Sequence, residues 1–113
     1  MPATHEDAEL VVQITRWSTE MGVAEATRAL FADSFVPGGA SVDDPPVQKA
    51  LNFGEIVGTL VKHDLLDRAL VLDLWWITGL WSRVAEAAEK ERKRLGEPRL
   101  YENFEALASS IKN

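Results

Sequence analysis

Residues 65–81, Leu-Leu-Asp-Arg-Ala-Leu-Val-Leu-Asp-Leu-Trp-Trp-Ile-Thr-Gly-Leu-Trp, constrain this chain more than any other stretch. They hold three of its four tryptophans. Wound as an α-helix at about 100° per residue, they leave no polar face. Val71, Leu72 and Trp75 point one way; Leu70, Leu74, Ile77 and Trp81 point another. A helix apolar all round belongs in the centre of a bundle, in a subunit interface or in a membrane. The longest apolar run, residues 69–81, is interrupted by Asp73 and Thr78. It falls short of the ~20 residues a spanning helix needs. The stretch therefore predicts a central bundle helix, running from Asp67 to Leu95, with apolar surface to spare for self-association.

The rest of the chain supplies the other helices. Thr4 can cap a first helix, with Asp7 at the capping-box position. Leu10, Val11, Ile14, Trp17 and Met21 follow at helical spacing, and Val23, Ala26, Leu30 and Phe31 carry the period onward. Gly22 either ends the first helix or bends it. Residues 37–46, Pro-Gly-Gly-Ala-Ser-Val-Asp-Asp-Pro-Pro, form the clear linker. This is a crossover loop or, on a functional reading, a binding loop or hinge. It divides an N-terminal part (1–36) from a main helical unit (47–113) within one domain. Asp44-Pro45 is a cap followed by a proline at the first helical position. Val47, Ala50, Leu51, Gly54, Val57, Leu60 and Val61 then mark a buried stripe. Gly54 and Gly58 share a face, which permits close helix approach. Asp67 caps the central helix, with Leu66 stapled onto Val71. Toward its end, Glu86/Lys90 and Glu89/Lys93 are i,i+4 pairs in the favourable order. Arg92, Lys93 and Arg94 suit its C-terminal dipole, and Gly96 and Pro98 stop it. A last helix from about Arg99 presents Tyr101, Phe104, Leu107, Ala108 and Ile111 on one face. No segment has the strand period. The expectation is an all-α single-domain bundle of about five helices around one long central helix.

Composition narrows the function classes. The 113 residues contain no cysteine, which excludes disulfides and thiolate chemistry and fits a cytoplasmic protein. A net charge of −6 argues against nucleic acid as a partner. The basic run Lys90, Arg92, Lys93, Arg94, Arg99 is interleaved with Glu89, Glu91 and Glu97, as on a solvated helix end. Residues 1–7 have neither the basic nor the apolar region of a signal peptide. No phosphate loop, nucleophile elbow or metalloprotease motif occurs. His63 stands with Asp64 and Asp67, but no second histidine lies at helical metal-site spacing, so no metal and no cofactor are expected.

Asp73 and the tryptophans carry the functional readings that remain. On the predicted central helix, Asp73 falls on the arc of Ile77, Leu80 and Val84. Buried there, it is either a structural ion pair with Arg16, Arg28 or Arg68, or a pocket acid. Adjacent Trp75 and Trp76 point about 100° apart. Either both are core, reached from two sides, or one reaches an edge or a partner. Two functions follow. The first is a non-enzymatic interaction or scaffold module that forms a homodimer or takes another protein partner, with Trp75, Trp76 and Trp81 at the interface. The alternative is a small-ligand-binding protein or enzyme with a pocket at Asp73, Trp76 and Arg83. No membrane partner is expected.

Residues 53–62 (Phe-Gly-Glu-Ile-Val-Gly-Thr-Leu-Val-Lys), Leu65-Leu66-Asp67, Trp76, Trp81, residues 91–98 (Glu-Arg-Lys-Arg-Leu-Gly-Glu-Pro) and residues 101–107 (Tyr-Glu-Asn-Phe-Glu-Ala-Leu) together carry a resemblance. From Val47 to Ala108 the chain resembles domain-of-unknown-function family 4760, small helical prokaryotic proteins. The resemblance implies an all-α fold and no assigned activity. Its Arg-…-Gly-x-Pro-…-Tyr-x-x-Phe-Glu signature ends one helix, begins the next and packs the second against the first.

Overall fold

A computed structural model describes residues 2–110; Ile111, expected on the last helix face, lies outside them. Among the described residues six α-helices form: α1 (His5–Met21), α2 (Val23–Leu30), α3 (Pro45–Lys62), α4 (Arg68–Leu74), α5 (Ile77–Leu95) and α6 (Glu102–Ser109). No strand occurs among the described residues.

The all-α bundle agrees with the sequence reading, but its centre lies elsewhere. The predicted Asp67–Leu95 helix is divided into α4 and α5. Trp75 is extended (φ −124°, ψ 141°) and Trp76 leaves helical geometry (ψ 72°). The extended residue sends Trp75 inward, edge-on to Phe53 at 5.4 Å, and Trp76 outward. The central element is instead α3, which packs against α6, α2 and α5. Val47, Leu51, Phe53 and Val57 on α3 are all fully buried, as are Leu30, Val71, Ile77, Val84 and Phe104 facing them.

The helix ends follow local chemistry. Thr4 and Asp7 form the reciprocal capping box on α1: Thr4 Oγ1 accepts the Asp7 N–H and Asp7 Oδ2 accepts the Thr4 N–H. Gly22 ends α1 outright, with φ +79°, a left-handed conformation glycine adopts without strain. Asp67 caps α4 through the Leu70 N–H at 2.9 Å. Gly96, also left-handed, ends α5 after three basic residues. Asp44 is the N-cap residue of α3, followed by Pro45 as expected, but its side chain makes no capping hydrogen bond; its Oδ2 accepts the Ser41 N–H in the preceding turn.

The i,i+4 pairs expected on α5 are also replaced. Lys90 donates from Nζ to the carbonyl of Gly38 at 2.6 Å, straddling toward Ala40, and so fastens the linker to α5. Glu89 pairs with Arg92, three residues on, rather than with Lys93. A backbone carbonyl within reach outcompeted a solvated carboxylate, whose pairing contributes little.

The Gly54/Gly58 face is where α6 comes closest to α3. A Cβ on Gly54 would lie 2.3 Å from the Phe104 ring, and one on Gly58 would lie 2.4 Å from the Asn103 carbonyl. Any side chain there would push α6 away, and the chain accepts the helix penalty of two glycines, about 1 kcal/mol each, for that approach.

Candidate functional site

The break between α4 and α5 builds an aromatic face. Trp76 is 69% exposed, yet its ring is held on two sides. It stacks on Phe31 with centroids 5.2 Å apart and planes 15° from parallel. It also lies over Gly79, where a Cβ would come within 2.3 Å of the indole. Arg83, one turn further along α5, supports Phe31. Its guanidinium sits 5.3 Å from the Phe31 centroid and 5.2 Å from that of Phe35. Its Nε donates to the Leu30 carbonyl at 2.8 Å, so it closes the C-terminal end of α2. A large indole is thus presented to solvent in a fixed orientation.

Of the residues the sequence singled out, Trp76 and Arg83 are brought together through Phe31. Asp73 is not among them. It is exposed and makes no ion pair or side-chain hydrogen bond among the described residues. The expectation that it is buried as an ion pair or pocket acid is corrected: the extended residue at Trp75 takes it out of register with Ile77, Leu80 and Val84. Trp75 and Trp81 are half-buried against the core. Trp75 meets Phe53, and Trp81 meets Phe104 at 5.0 Å with the Arg92 guanidinium 5.9 Å above its ring. Phe31, read from its spacing as a core position, is partly exposed at the end of α2.

A second polar constellation, missed from sequence, joins α3, α5 and α6. Tyr101 precedes α6 in a left-handed conformation (φ +61°) and provides no side-chain cap. Glu55 of α3 takes that role from outside the helix. Its Oε1 accepts the N–H groups of Asn103 (3.0 Å) and Phe104 (2.9 Å), and its Oε2 accepts the Asn103 Nδ2–H at 2.9 Å. Asn103 also donates to Thr59 Oγ1 at 3.1 Å. Arg92 holds the connection from α5: Nε donates to the Leu100 carbonyl at 2.7 Å, and Nη2 bridges to Glu105 at 2.8 Å. Burial, with Glu91 and Glu55 nearby, raises the Tyr101 phenol above its ordinary range. Nothing in the sequence pairs Glu55 with residues 48 positions away.

Two open clefts lie near the C-terminal end of α3. One, of about 360 Å³, is lined by Val61, Lys62, Arg68, Glu102 and Leu107 among others. The other, of about 580 Å³, shares Val61 and Arg68 and adds the acidic rim of Glu6, Asp7, Asp64 and Asp67. Neither includes Asp73, Trp76 or Arg83. Among the described residues no three histidine, aspartate or glutamate side chains gather in a metal-binding group, so His63, Asp64 and Asp67 do not converge. The buried polar side chain Ser18 donates its hydroxyl to the Thr15 carbonyl at 2.8 Å within α1. Among the described residues no helix is long and apolar enough to cross a membrane.

The junction of α3, α5 and α6 lies inside the one segment that a known family matches. The family described as Domain of unknown function (DUF4760) matches residues 40–111, and the chain belongs to it. No curated protein and no solved structure matches the chain. Glu55, Arg92, Asn103 and Phe104 all fall inside the matched segment, as do Trp76 and Arg83. Phe31 and Phe35, which complete the aromatic face, lie outside it.

Proposed function

We propose that this protein is a non-enzymatic interaction module of the cytoplasm that pairs with a second copy of itself through the face built on Trp76. The exposed but immobilised indole of Trp76 carries this reading. Exposed tryptophan is costly in water, and one fixed before binding gives up little entropy on association. Tryptophan and arginine are also the residues in which interface energy concentrates. Phe31, stacked on Trp76, is exposed as well, which widens the apolar area. Trp75 and Trp81, turned toward the core, play no direct part in this version of the interface.

The test is sedimentation of the full chain across micromolar concentrations. A monomer–dimer equilibrium is expected, and Trp76→Ala should weaken it by about 30-fold or more, the effect of losing a hot-spot residue. Phe31→Ala, which removes the stacking partner, should weaken it less. A monomer mass at every concentration, or a Trp76→Ala dimer as tight as the parent, would remove the proposal.

A further inference from the structure

We propose that α1 is a hinged cover, which swings away from the bundle at Gly22 while α2, α3, α5 and α6 stay folded, and so bares the Phe53 face of α3. Burial is the first ground. α1 is 17 residues long, yet Ile14 and Ser18 alone are buried on it. Ser18 spends its hydroxyl within the helix, so Ile14 is the one buried apolar side chain of α1. Leu10, Val11, Trp17 and Met21 are only partly buried. α2, with 8 residues, buries Val23, Ala26 and Leu30, and α3 buries eight of its 18. α2 also packs along α3, whereas α1 leans mainly on α2 and touches the other helices sparsely. Stability within a fold is uneven, and an element with little buried apolar surface opens before the rest.

The two ends of α1 supply the hinge and the latch. Gly22 ends α1 and begins α2, so a single residue joins the helices. Its φ of +79° turns the chain sharply, and glycine crosses between left- and right-handed conformations without the penalty a Cβ imposes. At the other end Asp7 Oδ1 accepts the Asp67 N–H at 3.0 Å, the one side-chain hydrogen bond from α1 to another element among the described residues. No ion pair among the described residues ties α1 down. The open cleft of about 580 Å³ undercuts the same end, with Thr4, Glu6 and Asp7 on one side and Val61, Leu66 and Asp67 on the other. Between hinge and latch the Trp17 ring stacks on Phe53, with centroids 6.1 Å apart and planes at 22°. Lifting α1 takes that ring off Phe53, which is almost wholly buried beneath it. Trp75, edge-on, remains as the other aromatic neighbour of Phe53.

Native-state amide hydrogen exchange of the full chain, followed by NMR, tests this. A helix of this length has little stability once removed from its packing, so lifting α1 frees its amides. The amides of residues 14–18, in the middle of α1 and clear of its ends, should be at least about tenfold less protected than those of Val57 and Val84. The amides of residues 28–30 in α2 should be at least about tenfold better protected than residues 14–18, since they lie beyond the hinge. Urea below the unfolding transition should speed exchange steeply at Val57 and Val84 but only slightly at residues 14–18, because lifting one helix exposes little surface. Ser18→Cys gives the chain its one thiol, on the buried side of α1. That thiol should react with a disulfide reagent at an opening constant within about tenfold of the one the α1 amides give. A protection gap below about tenfold between α1 and α3, one urea slope for both, α2 amides exchanging with those of α1, or a thiol masked as deeply as the Val57 amide would each overturn the proposal. Phe31, Trp76 and Arg83 all lie beyond the hinge, so the outcome does not depend on the Trp76 face or on the oligomeric state.

Discussion

Glu55 and Asn103, on helices that the chain reaches far apart, share two hydrogen bonds: the Glu55 carboxylate receives both the backbone N–H and the side-chain amide of Asn103, at 3.0 and 2.9 Å. A helix start leaves amide hydrogens without partners and carries partial positive charge. In α6 a carboxylate from another helix answers both needs at once. Glu55→Gln keeps the shape but removes the charge, and should cost about 1–2 kcal/mol. Urea melts at neutral pH measure this. A loss below about 0.5 kcal/mol would mean that the tie does not hold α6 in place.

Gly54 gives a sharper test of the same contact. Alanine is the better helix former by about 1 kcal/mol, so an exposed glycine would gain from the change. Here the added Cβ meets the Phe104 ring, and Gly54→Ala should instead cost about 1–3 kcal/mol. Phe104→Ala alone should cost about 3–5 kcal/mol, since that ring is fully buried. In the double variant the clash is gone, so the second substitution should cost little or stabilise. Strict additivity of the two losses would show that the ring and the glycine are not in contact.

Of two aspartates, one should respond to substitution and the other should not. The Thr4 backbone N–H holds the Asp7 carboxyl below its ordinary range, with the Thr4 hydroxyl and the Asp67 N–H adding to the effect. The Asp67 bond, 3.0 Å, also ties α1 to the start of α4. A carboxyl depressed on folding stabilises above its unfolded pKa of about 3.9, and that stability is lost as pH falls through the folded value. Asp7→Asn should therefore lower the thermal midpoint at pH 7, with the deficit shrinking below pH ~4. Asp73→Asn should change stability by less than about 0.5 kcal/mol at either pH, because Asp73 is exposed and unpaired. A clear loss on Asp73→Asn would restore a structural role for that residue.

Much of the fold was legible in the chain because its signals are local. The capping box at Thr4 and Asp7, an end or bend at Gly22, the cap at Asp67 and the basic end of α5 before Gly96 each depend on residues within one or two turns. Helical spacing also identified Val47, Leu51, Val57 and Val61 as buried, and Gly54 with Gly58 as a close-packing face. The family segment was legible for the same reason: its motifs are helix starts, helix stops and the aromatics between them.

What the tertiary structure decided was direction. Counting at a constant helical angle carries a phase from one residue to the next, and a single extended residue at Trp75 resets it. Everything before that break, including Asp73, turned relative to everything after it. Whether a helix breaks between two tryptophans depends on what each ring can reach, and Phe53 and Phe31 come from α3 and from the end of α2. The exposed Trp76 face and the Glu55 cap of α6 are likewise products of groups brought together from distant positions. The chain by itself determined most helix ends and the buried stripe of α3, but not the break between α4 and α5. The packing of α2, α3 and α6 decided which side chains remained outside, because only contact between distant residues selects among local conformations of nearly equal energy.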